Sequence, residues 1–216
     1  MLIDSKLLPK LAKIEEYYME MRFKKVAEIS PMQMYETREH LRREPDKNTN
    51  VKWRNVNRGQ RWGGSGVTAW FRGDFRLPMD CEGKKVFLNA RTGGESLLLM
   101  NGEPQGVFDR FHPIVLLTMK GRTGDRYHIA LESYSGSTFP GTQPHEKDIV
   151  VAPKSLVFDG ADILLQREDV CDFVYNLRVL RQLINALDEH SLRRNQIIKA
   201  LNKVFAVIDF IPMDQP

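Results

Sequence analysis

Between Arg61 and Pro78 the chain reads Arg-Trp-Gly-Gly-Ser-Gly-Val-Thr-Ala-Trp-Phe-Arg-Gly-Asp-Phe-Arg-Leu-Pro, with turn chemistry at both ends and a period of two between them. Val67, Ala69, Phe71, Phe75 and Leu77 fall on one face, and Thr68, Trp70, Arg72, Asp74 and Arg76 on the other, as side chains of a strand must. The glycines at 63, 64 and 66 permit a tight turn before the strand, and Pro78 removes a ladder donor and ends it. A strand with one oily face needs a second layer. This one therefore predicts a packed antiparallel sheet.

The residues on either side divide the chain into three stretches. Leu7, Leu11, Ile14, Tyr18 and Met21 recur at spacings of four and three, which predicts a helix over roughly residues 4 to 28. Ser30-Pro31-Met32-Gln33 has the form of an N-cap with proline at the first helical position, so a second helix is expected, ending near Glu44-Pro45. Asp46 to Asn50 is a linker by composition. From Val51 to about Phe158 short apolar runs are broken by Gly, Pro, Asn and Asp: Lys84 to Arg91, Ser96 to Met100, Ile114 to Met119, Arg126 to Leu131, Ile149 to Val151 and Ser155 to Phe158. Asn101-Gly102 between two of them is a strong hairpin signal. Helical spacing returns after Arg167 in Val170, Phe173, Leu177, Leu180, Ile184 and Leu187, and after Ser191 in Ile197, Leu201, Val204 and Ile208, with Pro212 as a stop. The expected organisation is an N-terminal helical arm over 1–45, a β-sandwich of jelly-roll type over 46–165, and a helical segment over 166–216.

Composition narrows the function classes. The 32 basic residues are interspersed with 28 acidic ones, so a net charge of +4 does not mark a nucleic-acid surface. No window approaches a membrane span and Met1 to Lys6 lacks a leader pattern, which gives the expectation of a cytoplasmic protein with no membrane partner. Cys81 and Cys171 stand far apart outside any CxxC pattern and are expected as free thiols. His40, His112, His128, His145 and His190 form no HxH, HExxH or Cys/His cluster. Arg91-Thr-Gly-Gly-Glu95 lacks the Lys-Ser/Thr ending of a phosphate loop.

What remains is a set of candidate contacts. Asp109-Arg-Phe-His112 puts an acid three residues from an imidazole, as an acid/base pair, a metal corner or a structural hydrogen bond within a loop. Glu132 to His145 is a long polar loop that includes Tyr134. Trp70, between Thr68 and Arg72, would offer an exposed indole for stacking on a sugar ring if its face met water; with four amphipathic helices needing a surface, burial under a helix is the expectation.

Trp62 to Pro78, Gly83-Lys-Lys-Val-Phe-Leu88, Gly94 to Gly102 and Gly106-Val-Phe-Asp109 resemble the jelly-roll domain that precedes the catalytic domain of cytosolic α-mannosidases of glycoside hydrolase family thirty-eight, with a galactose-binding-domain-like sandwich. Glu132-Ser-Tyr-Ser-Gly136, Pro140 to Pro144 and Phe173 to Leu183 are also similar to that pattern, though Ser137 stands where a His is common. The resemblance implies a zinc-dependent retaining enzyme, with the metal, the aspartate nucleophile and the acid/base in a downstream domain marked by a His-any-His-any-Asp motif. That motif does not occur between Met1 and Pro216, so no catalytic or metal residue and no cofactor is assigned to this chain, which is expected to be the front of a longer protein. Its expected partners are that catalytic domain, mannose-containing oligosaccharide and further copies of itself. Trp62, Trp70, Arg72, Asp109, His112, Tyr134 and His145 are the candidates for carbohydrate or interdomain contact. The alternative is a free-standing carbohydrate-binding or adaptor sandwich.

Overall fold

The strand predicted by the period of two is β5 (Thr68–Arg76), and in the computed structural model it lies inside a six-stranded antiparallel sheet. The structure describes residues 2–41, 43–45, 51–109, 111–136 and 155–205. Elements in chain order are α1 (Leu2–Glu20), β1 (Phe23–Glu28), β2 (Met32–Thr37), β3 (Arg54–Val56), β4 (Gln60–Gly63), β5, β6 (Val86–Ala90), β7 (Glu95–Met100), β8 (Glu103–Phe108), β9 (Val115–Thr118), β10 (Arg126–Tyr134), β11 (Ser155–Phe158), β12 (Ala161–Gln166), α2 (Glu168–Ala186) and α3 (Leu192–Phe205), with a short 3-10 turn at Met79–Cys81. The sheets run β3-β2-β5-β10-β7-β8, β1-β12-β6-β9 and β11-β4. The chain is mainly β, a jelly-roll sandwich with helices at both ends of the sequence. It divides into two compact units, residues 24–166 and residues 1–23 with 167–216.

In the sandwich unit the oily face of β5 supplies Ala69 and Phe71, with Leu77 just past its end, to a core shared with Met32 and Met34, Leu98, Ile129 and Leu131 of its own sheet. Val86, Leu88, Ala90, Ala161 and Ile163 meet them from the four-stranded sheet. Alternation along each strand places these residues inward, so two apolar faces are buried at once. The β7–β8 hairpin turns at Asn101 and Gly102, with φ of 52° and 90°, the left-handed pair that a two-residue turn requires. Cys81 and Cys171 are both buried.

Two helix expectations are corrected. α1 stops at Glu20 rather than continuing to 28, and Phe23–Glu28 is strand β1, beside β12 in the four-stranded sheet. The capping pattern at Ser30 precedes a strand, not a helix. Met32 and Met34, 3% and 0% exposed, alternate into the core while Gln33 and Tyr35 pair with Arg72 and Trp70 on the opposite face. Neighbouring strands therefore override a weak local helix signal. Residues 24–45 consequently belong to the sandwich unit. Glu132, Ser133 and Tyr134, expected in a loop, complete β10. The expected linker 46–50, the strand at Ile149 and the stop at Pro212 lie outside the described residues.

In the helical unit Leu7, Leu11 and Ile14 of α1 bury against Leu177 and Ile184 of α2 and Ile198 and Leu201 of α3. Tyr18 meets Phe173 edge to face at 4.9 Å. Glu15, 6% exposed, accepts hydrogen bonds from Arg178 Nε at 2.5 Å and Arg181 Nε at 2.9 Å. A buried carboxylate needs such partners.

The outer face of the six-stranded sheet carries a pH-dependent clamp. His128 lies opposite Asp74, with Nδ1 2.8 Å from Asp74 Oδ1 and Nε2 2.9 Å from Glu44 Oε2, while Arg72 stands 3.9 Å from Glu44. The hydrogen bond to Glu44 raises the imidazole's pKa, burial opposes it, and Asp74 adds to the rise. A folded pKa above the unfolded value of 6.5 gives stability that is fully present below that pH and is lost as pH rises through the folded pKa. His128→Gln is expected to cost about 1 kcal/mol by urea unfolding near pH 5.5. The difference should shrink near pH 8.5; an equal loss at both pH values would rule out the charged clamp.

Candidate functional site

The loops at one end of the sandwich enclose a cavity of about 640 Å³. Its lining among the described residues comes from the β6–β7 connection (Ala90 to Glu95), the β8–β9 connection (Phe108, Asp109, Phe111, Pro113), the end of β10 (Tyr134 to Gly136) and Leu156 of β11. Such a volume falls in the range of small-ligand pockets.

The wall at 91–95 is held from behind. Trp62 Nε1 donates to the carbonyl of Thr92 at 2.7 Å, and the hydroxyls of Thr92, Ser96 and Ser133 form a buried chain with 2.7 Å links. Gly93 has φ of 89°, and a Cβ there would stand 2.8 Å from the Val157 carbonyl oxygen. Only glycine meets both demands. Arg91 is held by two acids: Nε reaches Asp159 Oδ2 at 2.9 Å and Nη2 reaches Asp162 Oδ2 at 2.6 Å.

Asp109 Oδ1 accepts the backbone N–H groups of Phe111 and His112, each at 2.6 Å, and both carboxylate oxygens lie 3.0 Å from His112 Nδ1. The hydrogen bond from His112 is the main cause holding the Asp109 carboxyl below its ordinary value; burial opposes it, and the two backbone donors lower it further. Of the three uses open to this pair in sequence, the geometry is that of a loop fastening itself. His112 points largely to solvent and does not line the cavity.

Tyr134 and Asp109 are thus the sequence candidates that share the cavity. Trp62 and Trp70, at 3% and 1% exposure, are both buried and do not line the cavity. Trp62 packs edge to face on Phe71 at 5.5 Å. Trp70 is buried as expected, and the chain between β2 and β3 contributes cover to that face of the sheet. Trp53 stacks under the Arg72 guanidinium at 3.9 Å and lies 6.1 Å from Tyr35, the cross-strand neighbour of Trp70. Among the described residues the Trp70 indole N–H has no hydrogen-bond partner. Burial of a ring worth ~200 Å² contributes about 5 kcal/mol and outweighs an orphan donor costing about 1–3. Arg72 also donates from Nε to Gln33 at 3.0 Å and is engaged away from the cavity. His145 lies outside the described residues.

Sequence reasoning missed Phe111, Glu95 and the 91–95 wall. Phe111 sits in the loop already singled out for Asp109 and His112, which was the available signal. Among the described residues, no three His, Cys, Asp or Glu side chains converge to hold a metal ion. No helix among them is long and apolar enough to cross a membrane.

Two antiparallel sheets face to face, with a loop-lined cavity at one end, define a jelly-roll sandwich domain. The family model described as alpha-mannosidase, jelly roll domain, matches residues 28–151, and the chain belongs to that family. Among solved structures it is similar to a putative β-galactosidase from Bacteroides fragilis, at 15% identity and a TM-score of 0.42, over 67% of this chain and 23% of that one. It is also similar to a β-glucuronidase from Ruminococcus gnavus, at 10% identity and 0.44, over 68% and 30%, and to one from Faecalibacterium prausnitzii, at 12% and 0.40, over 67% and 31%. The chain spans less than a third of the length of each. No curated protein matches it.

Proposed function

We propose that this chain is the N-terminal, non-catalytic domain of an α-mannosidase that hydrolyses terminal α-mannosides of oligosaccharides, and that it braces a downstream catalytic domain. The observation that carries the reading is the α-mannosidase jelly-roll match, which falls wholly within the sandwich unit. Bracing is supported by the helical unit, where Tyr175 and Val179 stand one turn apart on α2 at 48% and 59% exposure and Leu192 and Val204 are exposed on α3. Apolar side chains spaced this way suit a following domain or another copy of the chain. On this reading zinc and the reacting carboxylates belong to the later domain of a cytoplasmic protein.

The test extends the coding frame past Pro216 and assays the longer protein with a chromogenic aryl α-mannoside. Activity that falls at least tenfold, or loses several degrees of thermal midpoint, when residues 1–216 are removed is the expected result. The double variant Tyr175→Ser, Val179→Ser should lower that midpoint in the same direction. A longer enzyme indifferent to both changes would overturn bracing, and a frame that closes at Pro216 would leave a free-standing sandwich module.

A further inference from the structure

We propose that the loop-end cavity is a binding site for a neutral, polyhydroxylated saccharide and that it rejects acidic sugars. Among the described residues of the sandwich unit, two large aromatic side chains are left exposed, Phe111 at 80% and Tyr134 at 42%, and both line this one cavity. Exposed rings gathered at a concave site supply the apolar faces against which a pyranose ring stacks.

The polar groups give the class of ligand. Arg91, the cation among the described lining residues, is paired with Asp159 and Asp162. Two of the lining hydroxyls are spent inside the protein: Thr92 Oγ1 on Ser96, and Ser135 Oγ on the carbonyls of Gly64 and Val67. Glu95 and Asp109 bring carboxylates to the lining; Asp109 is largely engaged by His112 and two backbone N–H groups, while Glu95 pairs across the ladder with Tyr134, which places an acceptor beside a ring. A site rich in acceptors, with its cation already paired, takes donors; neutral sugar hydroxyls donate, whereas a uronate or phosphate would meet like charge. The wall is fastened from behind by Trp62 and the Thr92-Ser96-Ser133 chain, contacts that limit the ordering a ligand would have to impose.

The choice of a saccharide over another donor-bearing ligand rests on the mannosidase reading, and the experiment separates the two. The 216-residue chain is titrated with α-mannotriose, maltotriose, trigalacturonate and a lysine-containing tripeptide, with amide shift mapping on the unaltered protein. Weak binding of at least one neutral trisaccharide is expected, with shifts at Thr92 to Glu95 and around Asp109 to Pro113. Tyr134→Ala should weaken it about tenfold, Glu95→Gln about threefold, and Tyr175→Ala on α2 not at all. Maltotriose binding as well as α-mannotriose would uphold the site while weighing against the mannosidase reading. No shift with either neutral sugar at millimolar concentration, shifts confined to other surfaces, or tighter binding of trigalacturonate or the peptide would each overturn the proposal.

Discussion

Replacing Phe71 with alanine is expected to cost about 4 kcal/mol, enough to lower the thermal midpoint by roughly 10 °C in a chain of this length. The ring is 0% exposed on β5. It stacks on Phe158 with centroids 5.0 Å apart and an interplanar angle of 12°, and meets Trp62 edge to face at 5.5 Å. Truncation removes the transfer energy of the ring and leaves a cavity bounded by two sheets that cannot close over it. Phe71→Leu should recover more than half of the loss, because most of the volume returns. Phe111→Ala, at 80% exposure, should stay within about 0.5 kcal/mol by the same calorimetry. A Phe71→Ala midpoint within a degree or two of the unaltered protein would mean that this aromatic stack is not the centre of the core.

The second large effect is electrostatic. Asp162, 5% exposed on β12, accepts from Lys25 Nζ at 2.6 Å, Arg58 Nη2 at 2.8 Å and Arg91 Nη2 at 2.6 Å. Glu28 and Asp159 complete the network through Arg58, Lys25 and Arg91. Burial raises the Asp162 carboxyl, but the hydrogen bonds from Lys25 and Arg91, with the charges of Arg91 and Arg58, outweigh it and hold the pKa below its ordinary 3.8. Asp162→Ala leaves three cations facing two carboxylates, and about 2–3 kcal/mol of destabilisation is expected, reduced from the cost of a fully buried pair because the cations reach solvent. The folded pKa is depressed, so this stability is present above the unfolded value and is lost as pH falls through the folded one. Denaturant titrations should therefore show the gap between Asp162→Ala and the unaltered protein at pH 7 narrowing below about pH 4. A gap constant with pH would assign the loss to packing rather than to charge. Because Arg91 also lines the cavity, Asp162→Ala is expected to release a cation there as well.

Local chemistry makes some elements plain in the amino-acid sequence. β5 is legible because its alternation spans nine residues between glycines and a proline. The Asn101-Gly102 turn is legible because left-handed φ at two successive positions admits few residue types. α2 and α3 carry their apolar stripes on the sequence alone. β2 reads as a helix instead because Pro31 and Gln33 satisfy the local grammar of a helix start, and nothing nearby in sequence reveals that β5 offers Met32 to Thr37 a ladder and a core to fill. The burial of Trp70 follows from its sequence context, but a helix is the cover that context suggests, because a connecting segment has no periodicity to announce what it will lie against.

Sequence alone therefore determined the class of layers, the strands with strong alternation, the helical tail and the family resemblance, all of which depend on short-range pattern. Tertiary structure decided that residues 24–45 join the sandwich and that Trp62 props a loop rather than meeting a ligand. It also decided that Asp109, Phe111, Tyr134 and Glu95 meet at one end. These residues come from the start of β7, the β8–β9 connection and the end of β10. Their convergence follows from strand order, and strand order is set by the joint burial of two sheets, a property that no stretch of sequence carries by itself.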